Sequence, residues 1–310
     1  MENKNKEFYE SFYDRISDSP TKSGNAKWEY YLLRCILKYL DKNNISNLLD
    51  VGCGQGNKTL YLSDYLGNIK AIGLDSSHTG INLAKQVYSN KKNLEFIEMN
   101  LDDFSSKSEI KYDIVSALEV LEHIEDWQTL LSKMTNICNR YILLTFPTGR
   151  MRDYEKNIGH LRNFKRGEVE EFLFNKGFKA IKTFYSGFPL YTPLARDYID
   201  KHYDSFMNSI DTKFTKSQEL FHHIVYLSFR FFCFKNIGDK FTGLFEKVNI
   251  TVNSNGGGNY SILFIINLDY NNILKAFIYL KICECFFILN IIFQNNQKVK
   301  LFNNKNGRII

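Results

Sequence analysis

The chain has 310 residues, 44% of them hydrophobic and 24% charged, with a formal net charge of +6. These proportions lie close to the globular average of roughly 45–50% and 25%, which excludes wholesale disorder. The length exceeds the ~100–200 residues usual for one domain, so a sizeable core with an appended or inserted segment is expected. The lysines are scattered rather than gathered in blocks, unlike a clustered nucleic-acid footprint, and no nucleic-acid partner is expected.

The opening MENKNKEFYESFYDRISD is polar and lacks an apolar stretch, so no secretory signal is expected there. Cysteines at 35, 53, 138, 233, 283 and 285 form no C-x-x-C pair and no zinc-like spacing. That usage fits a reducing compartment, and the expected location is cytoplasmic.

Residues 1–45 read as an N-terminal helical cap. Within it, 27–40 is amphipathic, with Trp28, Tyr31, Leu32, Cys35, Ile36 and Tyr39 on one side. From 46 to 184, short apolar runs (SNLLDV, IKAIGLD, LEFIEM, YDIVSAL, RYILLTF, FKAIKTF) alternate with helix-like stretches near 57–66, 79–90, 124–137 and 167–176. Such alternation predicts βαβ units around a parallel sheet.

Residues 185–256 interrupt it with an aromatic-rich segment, almost continuously apolar at 220–234. We read it as a mostly helical insert covering an acceptor pocket. Phe188, Tyr191, Phe206, Phe221, Tyr226, Phe229, Phe231 and Phe232 would line that pocket or fill space against the sheet. Residues 257–270 are expected to supply the last core strand, NYSILFIINL at 259–268, and 271–310 a tail of unknown role. Lys275, Lys281 and Glu284 make the tail's apolar run a poor transmembrane span.

The strongest motif is LLDVGCGQG at 48–56, a strand that ends in Asp50 and runs into glycines at 52, 54 and 56. Glycines at such a turn admit positive φ and let backbone approach a ligand closely. A dinucleotide fingerprint would place its third glycine one position later. The run resembles motif I of class I S-adenosylmethionine-dependent methyltransferases of the small-molecule type, and the likeness continues downstream through AIGLDSS, MNLDD and YDIVSALEVLEHIED.

The resemblance implies a doubly wound, Rossmann-like α/β fold. Its seven strands would run in the order 3-2-1-4-5-7-6, with the last strand antiparallel and the insert between strands 6 and 7. It implies a donor pocket of Asp50, Gly52, Cys53, Gly54 and Gly56, with Asp75 and Ser76 at the ribose, Asn100 and Leu101 at the adenine, and Ala117, Leu118 and Glu119 beside the methionine moiety.

Methyl transfer from a sulfonium needs an aligned nucleophile and a base. His123, after the fourth strand, and His160, after the fifth, lie where ligands bind parallel sheets and are the candidate bases. The run Glu119-Val-Leu-Glu122-His123 also resembles the E-x-x-E-H run of quinone-ring O-methyltransferases that bind a divalent metal; the expectation here is no metal, with these three residues the alternative.

No Asn or Asp followed by Pro-Pro and an aromatic residue stands after the fourth strand, which disfavours methylation of nucleobase amines. The expected acceptor is a small molecule, sugar, lipid-linked or quinone-like, with O-methylation favoured and peripheral lipid contact through the insert. A nicotinamide-dependent oxidoreductase and a non-catalytic S-adenosylmethionine-binding protein stay open as alternatives.

Overall fold

The computed structural model describes residues 9–13, 19–107, 110–209 and 213–248. Helix α1 (Gly24–Leu37) starts where Ser23 accepts a hydrogen bond from the Ala26 N–H, an N-cap worth about 1 kcal/mol. It buries Trp28, Leu32, Leu33, Ile36 and Leu37, each contributing roughly 1.5–3 kcal/mol of burial.

The alternating region then lays down β1 (Asn47–Val51), α2 (Asn57–Tyr65), β2 (Lys70–Asp75), α3 (His78–Val87), β3 (Leu94–Glu98), α4 (Leu101–Lys107) and β4 (Tyr112–Leu118). It continues through α5 (Trp127–Ile137), β5 (Cys138–Pro147), α6 (Glu168–Asn175) and β6 (Phe178–Ser186). Helices α7 (Arg196–Lys201) and α8 (Lys216–Phe232) follow, and then β7 (Lys240–Lys247).

The seven strands form one sheet in the order β3-β2-β1-β4-β5-β7-β6. The pairs among β1 to β5 are parallel, whereas β7 runs antiparallel to β5 and to β6. One core lies on each side of the sheet. Leu49, Val115, Ile142, Phe146 and Phe245 pack beneath α5 and α6 on one face, and Leu48, Ile114, Leu143 and Leu244 pack with α1 and α2 on the other.

The fold class is as expected, but the seventh strand is not 259–268. The place between β5 and β6 is taken by Lys240–Lys247, and 259–268 and the tail 271–310 lie outside the described residues. The reason is chemical. KFTGLFEK carries Lys240, Thr242 and Gly243 where an interior strand is expected to be apolar, and its polar positions are tolerated because they face the site at the strand's start. The more apolar NYSILFIINL was the stronger signal on hydrophobicity alone.

Residues 187–239 therefore form the excursion between β6 and β7, leaving and rejoining the sheet at the edge where β1 to β6 end. Trp28 of α1 holds it, with Tyr191 at 4.8 Å and Phe229 at 5.6 Å between ring centroids. Arg196 pins it too: its guanidinium donates to Glu155, and to Asp239 and the Thr148 carbonyl at 3.3 Å each.

The aromatic residues of the insert do not all turn inward, against the expectation that they are buried. Tyr191 and Phe229 are buried, whereas Phe221, Phe231 and Phe232 are 60–68% exposed. Leu220 and Ile224 join them on the outer face of α8. Among the described residues no helix is long and apolar enough to cross a membrane.

Candidate functional site

The glycine loop leaves β1 and turns at once into α2. Gly52 has φ of +71°, and a Cβ there would sit 2.5 Å from a Val120 methyl. Only glycine lets the loop pass this close to the end of β4. The Gly52 and Cys53 N–H groups both donate to the Leu74 carbonyl, fixing the loop to the end of β2.

Asp75, the last residue of β2, accepts from the Gly54 N–H and the Ser77 N–H, each at 2.8 Å. Its carboxylate is thus oriented at the rim of the loop. Burial pushes its pKa up, against these backbone hydrogen bonds. Ser76 beside it is exposed.

Two of the expected donor residues have other work. Asp50 is 2% exposed and accepts from the hydroxyls of Thr59 at 2.6 Å and Ser116 at 2.7 Å. Its carboxylate ties β1 to α2 and β4 beneath the loop rather than facing a ligand. Asn100 accepts from the Asp103 N–H at 2.8 Å and donates to the Asp103 carboxylate, capping α4. Leu101 and Ala117 are buried behind these groups.

A feature not expected from the sequence is the N-terminal segment. Glu10 accepts from the His78 and Thr79 N–H groups at 2.7 and 2.9 Å. That places an anion at the N-terminus of α3, where the helix dipole favours it. The Tyr13 ring lies against Gly54 and Gly80. The Tyr9 hydroxyl is 3.0 Å from His123 Nε2. Aromatic residues in a polar N-terminal stretch are the only sequence signal for this contact.

The second half of the site lies at the ends of β4 and β5 and the start of β7. Glu119 follows β4 with φ of +64°, a conformation that costs a non-glycine residue energy and clusters at functional sites. Lys240, 4% exposed in its side chain, donates to Glu119 Oε2 at 2.5 Å and Glu29 Oε1 at 2.8 Å. Lys58 lies 3.3 Å from the other Glu29 oxygen. Burial would raise the Glu29 pKa, but Lys240 and Lys58 hold it well below the usual carboxylate range. Lys240 keeps its charge despite burial because two carboxylates face it.

Glu122, His123 and His160 converge, with one ligand atom from each within 4.8 Å of the others. This differs from the trio named by the E-x-x-E-H spacing, because Glu119 is turned away to Lys240. His123 offers no ready lone pair either. Its Nδ1 faces the Gly159 carbonyl at 3.1 Å and must donate, which leaves Nε2 to accept from Tyr9. The residues present do not fit a metal centre on Glu119, Glu122 and His123.

The candidate bases come together, with ring centroids 4.7 Å apart. Yet burial, and then His123, push the His160 pKa down to about 3, far from the value that suits a base at neutral pH. His123 is likewise lowered by burial.

Several polar atoms here are buried without a hydrogen-bond partner among the described residues: both Glu122 oxygens, Glu119 Oε1, His160 Nδ1, and the hydroxyls of Thr145 and Thr242. An unpaired buried polar group costs about 1–3 kcal/mol. Water or a bound ligand would have to pair them.

Residues 48–140 match the family model described as a methyltransferase domain. Residues 48–140 thus carry the likeness to a methyltransferase domain. Over 119 residues, 37% of the chain, it is 25% identical to pavine N-methyltransferase of Thalictrum flavum subsp. glaucum, covering 33% of that protein. Over 101 residues, 29% of the chain, it is 31% identical to the mitochondrial ubiquinone biosynthesis O-methyltransferase of Dictyostelium discoideum, covering 31% of it. The chain thus spans about a third of the length of these relatives. In fold, the chain resembles a chain of the Haloferax volcanii complex between the Trm112 methyltransferase activator and a methyltransferase. The TM-score is 0.52 at 14% identity, over 78% of this chain and 98% of that one.

Proposed function

We propose that the protein transfers a methyl group from S-adenosylmethionine to a small-molecule acceptor, O-methylation being favoured. The observation that carries this reading is the shared strand edge. The glycine loop after β1, Asp75 at the end of β2, Asn100 and Leu101 after β3 and Ala117–Glu119 at the end of β4 follow one another there. In parallel sheets that edge is where ligands bind.

When bound, the sulfonium donor supplies an already activated methyl group. The chain's own contribution is position and proton handling. Asp75 would accept the two ribose hydroxyls while the Gly54 and Ser77 N–H groups hold it still. The Leu101 backbone would meet the adenine ring, and the Gly52 turn with Ala117–Glu119 would flank the amino-acid end. Tyr13 over Gly54 would shield this half from water.

The insert would cover the acceptor, because both of its ends join the sheet at this edge. Its outward face of Leu220, Phe221, Ile224, Phe231 and Phe232 supports peripheral contact with lipid, and hence a lipid-linked acceptor as one form. The acid at the end of β2 would suit either adenosine cofactor while the third glycine stands one position early for a dinucleotide, so calorimetry with both cofactors separates this reading from a nicotinamide enzyme. Micromolar binding of S-adenosylmethionine, roughly −8 kcal/mol, is expected. Asp75→Ala should weaken it by about 1.5–3 kcal/mol. Unchanged affinity in that variant, or preference for the nicotinamide nucleotide, would overturn the assignment.

A further inference from the structure

A helical turn at residues 9–13 lies across the strand edge on the donor side. Its Glu10 carboxylate accepts from the His78 and Thr79 N–H groups at 2.7 and 2.9 Å. Tyr13 rests on the glycine loop and on α3 together. A Cβ at Gly54 would collide with its hydroxyl, and one at Gly80 would stand 3.2 Å from its ring. Tyr9 reaches the other way, with its hydroxyl 3.0 Å from His123 Nε2 and its ring centroid 5.3 Å from that imidazole.

The charges around the two phenols locate the turn. Burial first, and then the Asp75 carboxylate, push the Tyr13 pKa up. Burial raises the Tyr9 pKa too, followed by Tyr13, Glu122, Asp75 and Glu119. Residues 9–13 therefore reach from the acid at the end of β2 to the acids after β4, and five helical residues rise about 7.5 Å between those points. A donor with its ribose on Asp75 and its amino-acid end beside Ala117–Glu119 lies beneath them. The turn is held by few contacts: Glu10 on α3, Tyr9 on His123, and the rings of Tyr9, Phe12 and Tyr13 on one another at 5.7 to 6.3 Å. Segments tied down by exposed hydrogen bonds and little buried apolar surface open far more readily than the core strands.

We propose that residues 9–13 form the gate through which the donor enters and its demethylated product leaves, latched by Glu10 on the start of α3 and by Tyr9 on His123. This rests on the methyl-transfer reading above and adds a step to it. Exchange requires the Glu10 carboxylate to leave the two N–H groups and Tyr13 to lift from Gly54, with water taking over each freed hydrogen bond. The second latch couples the two halves of the site. His123 Nδ1 is fixed by the Gly159 carbonyl at 3.1 Å, and Tyr9 completes the hold on the ring only when the gate is shut. Both latches are made within the chain, so they resist entry and release alike.

The experiment follows methyl-labelled S-adenosylmethionine on the full chain by rapid filtration. Association is read on mixing, and dissociation after a chase with excess unlabelled S-adenosylhomocysteine. Glu10→Gln removes the charge on the start of α3, and Tyr9→Phe removes the hydroxyl at His123. A hydrogen bond to a charged group corresponds to roughly 10- to 100-fold, and a neutral one to about 2- to 10-fold. Glu10→Gln should therefore raise the association and dissociation rates together by about 10- to 100-fold and Tyr9→Phe by about 2- to 10-fold, with their ratio, the affinity, nearly unchanged. Faster dissociation alone would make the segment an ordinary wall of the pocket, and faster association alone a competitor for the donor's place. Either result, or unchanged rates in both variants, would overturn the gate while leaving the donor reading intact. Failure of the wild-type chain to bind S-adenosylmethionine would instead overturn that earlier reading.

Discussion

The two halves of the strand edge satisfy their polar groups in opposite ways. On the donor side, Asp75 is held by two backbone N–H groups, Asp50 by two hydroxyls and the loop by the Leu74 carbonyl. At the ends of β4, β5 and β7, Glu122, Thr145, Thr242 and His160 keep atoms unpaired among the described residues, and charge is balanced through Lys240 and Lys58. A pocket for an invariant ligand can be finished by its own backbone.

The comparison breaks most readily at Lys240. Lys240→Met leaves Glu29 and Glu119 buried without their shared cation, and removing one partner of such a pair costs about 3–5 kcal/mol. Denaturant unfolding should show a loss of that size; a loss within the error of the extrapolation would mean the network is wetter than its burial implies. On the donor side, Asp50→Ala strips the Thr59 and Ser116 hydroxyls of a charged acceptor. It should cost about 1.5–3 kcal/mol of stability, read the same way, and a neutral effect would return Asp50 to the ligand.

A smaller effect, of a few degrees, distinguishes Glu122. Burial first, and then Glu119, raise its pKa well above 4.5. The folded state therefore holds this proton more tightly than the unfolded chain does. That contribution is fully present below the unfolded pKa and is lost as pH rises through the folded one. Glu122→Gln, which stays neutral, should melt higher than wild type at pH 8 and equally at pH 4. A lower melting temperature at pH 8 would mean that an unseen partner already satisfies the carboxylate. Least of all should Phe231→Ser with Phe232→Ser disturb the fold, by within about 0.5 kcal/mol each, while reducing cosedimentation with anionic lipid vesicles. Unchanged vesicle binding would remove the lipid role of α8.

The same contrast explains what the sequence made legible. Gly52, Gly54, Gly56 and Asp75 act through short-range backbone geometry, so their spacing carried the donor side and the strand order with it. Glu29 carries no local signal, because its partner Lys240 lies 211 positions away. Lys240 itself sat in a strand whose polar residues hid it behind the more apolar 259–268. Glu122 was visible in the E-x-x-E-H run, but no spacing could tell that Glu119 would turn to Lys240 or that His123 would be taken up by Tyr9 and Gly159.

The most direct test of the account is a crystal structure of the full chain with S-adenosylhomocysteine. The account predicts the nucleoside over the glycine loop with both ribose hydroxyls on Asp75, and the sulfur beside Ala117–Glu119. Density for the ligand on any other surface, or a ribose turned away from Asp75, would contradict it.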